Sequence, residues 1–300
     1  MTTHTYRVFG LTLKSEIALP ELPAESRDAV ADVTICWGHV PPVDATDDPY
    51  GLSVSEAGAT VSVASVARFH VSGGVQIRID PDPAAEEATI RLFLMGTAMG
   101  VVFCQRKMFP LHANAIIFDG HAVAFAGPSR SGKSTLAAAF LDRGHAILSD
   151  DICVIDRGLG AEFLAQPGIP RVRLWSDAVE RSGRNASLLK RVRSGMDKFV
   201  VPTRAAQPDH ALPLSAIFVL GSDGPDVRAL PLQGFGAIEA LAANTYRASF
   251  LSLVGDAPAH FATCLKIAQH VPLFDLHRPW DGDRIEETAD RIGEQLAGIR

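Results

Sequence analysis

Residues 127 to 134 read Gly127-Pro128-Ser129-Arg130-Ser131-Gly132-Lys133-Ser134, with Thr135 directly after. Glycines let backbone N–H groups curl around an anion without a Cβ in the way. A lysine after the second glycine can reach the β- and γ-phosphates of a nucleotide, and the hydroxyl of Ser134 can bind Mg²⁺. Every fixed position of the phosphate-binding pattern G-x-x-x-x-G-K-[ST] is filled. The chemistry this predicts is the gripping of a nucleoside triphosphate.

A second group is Ser149-Asp150-Asp151. A hard cation takes oxygen ligands, so one carboxylate can hold Mg²⁺ while the other takes a proton from an attacking hydroxyl. Neighbours on a strand face opposite ways, so both acids serve one site only where the strand ends. His112, fifteen residues before Gly127, is a third candidate, either a core histidine or a group beside the loop. The fourth is a basic stretch from Arg171 to Arg204. It carries nine Arg and Lys, Lys198 among them, against Asp177, Glu180 and Asp197, an excess of six positive charges in a chain of net −6. Such a patch could clamp phosphates or steer an acidic partner. Gly183 and Gly195 imply that part of it is a loop.

These groups need a scaffold. Leu111–Phe118 and His121–Ala126 read as strands joined by Asp119-Gly120, a strong hairpin signal. The second strand runs into Gly127, and a helix from Lys133 to Arg143 ends at Gly144. Strands are expected at Ala146–Leu148, Ile152–Ile155, Ala216–Leu220, Val227–Leu232 and Val271–Leu276. Helices are expected near Phe235–Asn244, Ala257–His270 and Arg284–Ile299. Strands alternating with helices over this length imply an α/β core.

The first 80 residues read as β-rich. Strands are expected at Tyr6–Leu13, Val33–Trp37, Thr60–Ala67 and Val75–Ile79, with a long loop at Val40–Gly51 containing Asp47-Asp48-Pro49. A helix is expected from Asp82-Pro83, with Asp82 as its cap and Pro110 as its stop. The apolar stretch Ile90–Cys104 would span roughly 22 Å as a helix, short of a ~30 Å hydrocarbon layer, and reads as a buried helix. Gly96 and Gly100 in it would let a neighbour approach closely. The domains expected are 1–82, β-rich, and 83–300, α/β.

The 300 residues are 47% hydrophobic and 21% charged, enough to bury a sizeable core. The net charge of −6 weighs against a nucleic-acid coat. Residues 1–20 lack a signal-type apolar run, and neither a membrane span nor a lipidation signal is expected. Cys36, Cys104, Cys153 and Cys264 form no C-x-x-C pair, which suits reduced thiols in a cytoplasmic protein.

Leu111-His112-Ala113, the hairpin, Gly127–Ser134 and Ser149-Asp150-Asp151 together resemble the catalytic domain of HPr kinase/phosphorylase, a bacterial serine kinase family built on a phosphate loop. The likeness is closer to HPr-kinase-related proteins of about this length, which begin like Tyr6-Arg7-Val8-Phe9-Gly10-Leu11 and carry a motif like Pro170–Trp175. Some of those relatives phosphorylate ribosomally made precursor peptides, as in lasso peptide pathways. The resemblance implies a P-loop kinase core of HPr kinase C-terminal type behind an N-terminal β-rich domain. It implies that ATP phosphates and Mg²⁺ sit on Gly127–Thr135. Asp150 would be the base toward a serine-type hydroxyl of a peptide or protein, and Asp151, with Ser134, a metal ligand. His112 would lie near the acceptor or γ-phosphate, and Lys198, on a flexible loop, would lay a cation on the transferred group. A homo-oligomer is implied as well. The family's Glu-Ile-Arg-Gly-Leu-Gly signature is absent, with Gln166-Pro167-Gly168-Ile169-Pro170-Arg171 in its place, so reverse phosphorylase activity is not implied. A small-molecule kinase and a nucleotide-binding adaptor without catalysis stand as alternatives. No Asn-Lys-x-Asp guanine motif and no Leu-Ser-Gly-Gly signature is present.

Overall fold

The computed structural model describes residues 2–43, 50–203, 207–279 and 284–299. Asp47, Asp48, Pro49 and Arg204 lie outside the described residues. The chain divides into two compact units, Met1–Pro110 with Tyr246–His260, and Leu111–Thr245 with Phe261–Arg300.

The first unit carries β1 (His4–Val8), β2 (Leu11–Ser15), β3 (Val33–Trp37), β4 (Leu52–Ser55), β5 (Gly58–Val63), β6 (Ala67–Ser72) and β7 (Gln76–Pro81). They form one sheet in the order β1-β2-β3-β7-β6-β5-β4. The strand expected at Tyr6–Leu13 is a hairpin instead. Phe9 (φ 56°) and Gly10 (φ 75°) turn between Val8 and Leu11, and positive φ at both central residues is the two-residue loop that matches strand twist. Phe9 is an unusual residue for that place, and its ring is buried edge-on to Phe103. The strand expected at Thr60–Ala67 likewise breaks, at Ser65 (φ 58°).

The apolar helix belongs to this unit, so the boundary expected at residue 82 falls after residue 110. It consists of α1 (Glu87–Phe93), a π-turn at Leu94–Ala98 and α2 (Met99–Gln105). Asp82 does not cap it. Its Oδ1 accepts from Ala84 N–H in a preceding turn, and the helix starts at Glu87. The whole helix, Glu87–Gln105, has the length and apolarity to cross a membrane, yet 67% of its apolar window is buried. Residues returning at Tyr246–His260 pack on its glycines. A Cβ on Gly96 would lie 3.1 Å from Tyr246 Oη, and one on Gly100 3.1 Å from Arg247 Cγ. The apolar surface is thus spent within this unit, on the sheet and on that returning segment.

Further along come β8 (Phe109–Leu111), β9 (Ala113–Phe118), β10 (His121–Ala126), α3 (Lys133–Asp142), β11 (Ala146–Ser149), β12 (Cys153–Arg157), β13 (Phe163–Ala165), β14 (Val172–Trp175) and α4 (Ser176–Arg181). Then follow β15 (Lys190–Arg191), β16 (Lys198–Val201), β17 (Leu212–Asp223), β18 (Arg228–Leu232), α5 (Gly234–Ala243), α6 (Phe250–Val254), α7 (Ala257–His270), β19 (Leu273–Arg278) and α8 (Ile285–Ile299). In the second unit β10, β17 and β19 run parallel and adjacent, with β9 antiparallel on β10, β11 antiparallel on β9 and β18 antiparallel on β19. The rings of Phe140, Phe125, Phe218 and Phe274 follow one another through its core, stacked in the first and last pairs and tilted between Phe125 and Phe218. A small sheet, β14-β16-β15, adds a further layer. The fold is mixed α/β. Parallel neighbours put the carboxyl ends of β10, β17 and β19 on one edge, where α/β proteins place their ligands.

Candidate active site

The turn after β10 is built on unusual backbone. Gly127 has φ 145°, Arg130 φ 68° and Gly132 φ 89°. A Cβ on Gly127 would drive into the Leu220 carbonyl oxygen of β17 and come within 2.7 Å of Ser131 Oγ, so only glycine lets the turn press against the neighbouring strand. Ser131 Oγ is buried, with no hydrogen-bond partner among the described residues. Gly132 is the N-cap of α3 and offers no side chain to satisfy the helix's first N–H groups. Lys133, 6% exposed, folds back and donates Nζ to the carbonyl oxygens of Gly127 (2.6 Å) and Pro128 (2.8 Å). Burial pulls its pKa down to about 8, against the upward pull of Asp151; the Lys198 charge lowers it further.

The two acids follow β11, which ends at Ser149, and Asp151 adopts a left-handed conformation (φ 72°). The condition for both to reach one site is therefore met. Their roles diverge all the same. Asp150 is 3% exposed and both oxygens are engaged. Oδ1 accepts from Asn114 Nδ2 at 3.0 Å and Oδ2 from Arg173 Nε at 2.6 Å. Asp151, its side chain 36% exposed, meets Arg173 Nη2 at 3.0 Å through Oδ2 and His112 Nε2 at 3.4 Å through Oδ1. Burial raises the Asp151 pKa, but the charge of Arg173 and the hydrogen bond from His112 outweigh it and hold the carboxyl well below the usual range. Burial lowers the Arg173 pKa, and the two carboxylates more than reverse that, so its guanidinium stays charged.

A cavity of about 470 Å³ opens beside the turn. Its wall includes Ser129, Arg130, Gly132, Lys133, Ser134 and Thr135 from the turn and α3, with His112, Asp151 and Lys198. Gly127, Pro128 and Ser131 shape the turn without lining the cavity, and Asp150 does not line it either. The base expected at Asp150 is thus shut away behind its own hydrogen bonds, and Asp151 is the acid of the pair that faces the space. Lys198 is not in a loop. It lies on β16 in register with Trp175 of β14, its ammonium 5.5 Å from the indole centroid, and Arg130 stands 5.6 Å from the same ring. Burial lowers the Lys198 pKa, helped by the charge of Arg173.

Four residues of the site escaped the sequence reading. Asn114 stands two places after His112, and that polar pair on one face of an apolar strand was a usable signal. Arg173 stands in the sequence as one charge of a basic stretch and as a member of the Pro170–Trp175 motif, with no role of its own. Trp175 closes the Pro170–Trp175 motif with no role attached to it there, and Arg278 carries no local signal; both lie on the cavity wall. Among the described residues, no three His, Cys, Asp or Glu side chains gather to hold a metal. Mg²⁺ still fits, because it keeps several waters and takes substrate phosphates, asking for only one or two protein oxygens. Ser134, on the cavity wall, would offer one such oxygen, and Asp151 faces the same space.

No family model matches this chain, and no curated protein does. Among solved structures it is similar to the HPr(Ser) kinase/phosphatase from Coxiella burnetii, at 12% identity over 63% of this chain and 92% of that one, with a TM-score of 0.32.

Proposed function

We propose that this protein is an ATP- and Mg²⁺-dependent kinase that phosphorylates a serine-type hydroxyl of a peptide or protein. The observation that carries the reading is one cavity wall shared by a glycine-framed turn, Lys133, Ser134 and the Asp151–His112 pair. Phosphoryl transfer asks for positioning and charge neutralisation more than covalent chemistry. The turn's N–H groups and the amino end of α3 take the phosphate oxygens. Lys133 exchanges its two carbonyl partners for the β- and γ-phosphates. Ser134, with phosphate oxygens and water, would hold Mg²⁺, which adds charge neutralisation on the transferring group.

Asp151 Oδ1 receives the proton of the acceptor hydroxyl, with His112 beside it. The acceptor oxygen then bonds to the γ-phosphorus. The bond from that phosphorus to its bridging oxygen breaks, and the electron pair leaves on ADP. Asp150 does not touch the acceptor in this scheme. It fixes Arg173, and Arg173 fixes Asp151. Lys198 and Arg130, held over Trp175, supply positive charge at the mouth.

The test is mass spectrometry of serine peptides, including short peptides encoded beside this gene, after incubation with the protein, ATP and Mg²⁺. A phosphoserine product that vanishes in Asp151→Asn supports the proposal. Transfer to a free hydroxylated metabolite and to no peptide would move the acceptor class. Nucleotide binding with no transfer to any acceptor would leave an adaptor.

A further inference from the structure

The motifs do not explain the placement of Arg278, another cation of the cavity. Arg278 ends β19, two strands over from β10 across β17, on the edge where the Gly127–Ser134 turn begins. It lines the same cavity as Lys133, Ser134 and Asp151. Its Nη2 donates to the Ser131 carbonyl oxygen at 2.6 Å. Lys133 is parked the same way, on the carbonyls of Gly127 and Pro128. The turn also makes room for it. A Cβ on Gly132 would meet Arg278 Nη2, so with glycine there the guanidinium lies against the turn without having to shift.

Resting on the kinase reading above, we infer that Arg278 is a second phosphate-contacting cation, supplied within the chain by the last strand of the sheet. A guanidinium carries five N–H donors in a fixed fork, so it can hold the Ser131 carbonyl and a phosphate oxygen together. Its place beside the turn aims it at the β–γ region of a bound triphosphate. As the acceptor oxygen bonds to the γ-phosphorus, the bond to the bridging oxygen breaks and negative charge gathers on the departing diphosphate. Arg278 meets that charge, while the proton goes to Asp151. It therefore acts on the transition state more than on the resting nucleotide.

The test uses the full chain, with ADP alone and ADP with aluminium fluoride and Mg²⁺ as the mimic of the transferring phosphoryl group. Affinities come from calorimetry, and turnover is read as ADP formed from ATP with water as acceptor. Arg278→Ala should keep ADP affinity within about threefold, lose the extra affinity for the fluoride complex by at least about tenfold, and slow turnover by about a hundredfold. Added guanidinium ion should restore part of that turnover. Arg278→Gln, which retains a donor toward Ser131, covers the case in which the alanine variant does not fold. A folded Arg278→Gln or Arg278→Ala protein with wild-type fluoride-complex affinity and wild-type turnover overturns the inference and leaves the kinase reading standing. A wild-type protein that binds neither ADP nor ATP overturns the kinase reading itself.

Discussion

At the residue scale the two acids separate by what touches them. Asp150 is a buried anion held by Asn114 and Arg173, so Asp150→Asn breaks a buried pair and should cost about 3–5 kcal/mol of stability. Asp151→Asn removes a half-open carboxylate that is ion-paired to Arg173, so it should lower the melting point, by less than Asp150→Asn does, while reducing transfer by about three orders of magnitude or more, with ADP affinity kept within a few fold. Thermal melts beside transfer assays check both. Equal kinetic losses with equal stability in the two variants would refute the division of roles. Lys133 gives a pH prediction whose sign is fixed. In the free protein its pKa is about 8, and a bound phosphate raises it. Below pH 8 the ammonium is already present and affinity is full. Above pH 8 binding must take up a proton, so ADP affinity should fall by up to about tenfold per pH unit until the bound form also titrates. Calorimetry from pH 6.5 to 9.5 reads this, and Lys133→Met should show weak binding with no such slope. The turn and the acid pair stood out in the sequence because a phosphate-binding pattern fixes the spacing of its glycines and lysine, whereas for His112 the spacing left a core histidine and a group beside the loop both open. Which acid faces the cavity was not legible there, because that depends on Arg173, twenty-three residues further on.

At the scale of elements, the site depends on parallel strands pressed closely together. β10 delivers the turn, β17 backs it through Leu220, and β19 brings Arg278. Gly127→Ala should therefore cost about 1–3 kcal/mol, since φ 145° is strained for a side chain and the Leu220 carbonyl occupies the Cβ position. ADP affinity should fall with it, because the turn cannot keep its shape. A melting point within a degree of wild type and unchanged ADP affinity would show that the turn tolerates a Cβ. Elements around the turn were readable where pattern and turn chemistry agreed, as in the Asp119-Gly120 hairpin and in α3 closed by Gly144. They were misread where tertiary packing set the turn. Phe9-Gly10 lacks the usual turn residue at its first position, and buried Phe9 against Phe103 decides the conformation. The β14–β16 layer was hidden inside a basic stretch because its inward residues, Val172, Leu174, Phe199 and Val201, are few and scattered.

At the scale of the whole molecule, the chain leaves its first unit at Pro110 and returns to it at Tyr246–His260. No composition shift marks that return, since α6 and the start of α7 read like the helices beside them. The consequence is a prediction about fragments. A chain cut to residues 111–300 keeps every residue of the cavity wall, yet it also carries a segment whose packing partners are gone. Phe250 (0% exposed) and Tyr246 (7%) would be stripped of the apolar helix, and the face that covers Gly96 and Gly100 would be left to solvent. Burying a ring of that size is worth about 1.5–3 kcal/mol, so its exposure favours association. The fragment should bind a hydrophobic dye, elute as aggregate and melt below the full chain. Replacing 246–260 in the fragment by a Gly/Ser linker of equal length should remove dye binding and restore a monomeric, cooperative transition with ADP affinity within about tenfold of the full chain. If the unaltered fragment is instead monomeric, dye-silent and as stable as the full protein, the returning segment belongs to the second unit and the division at residue 110 is wrong.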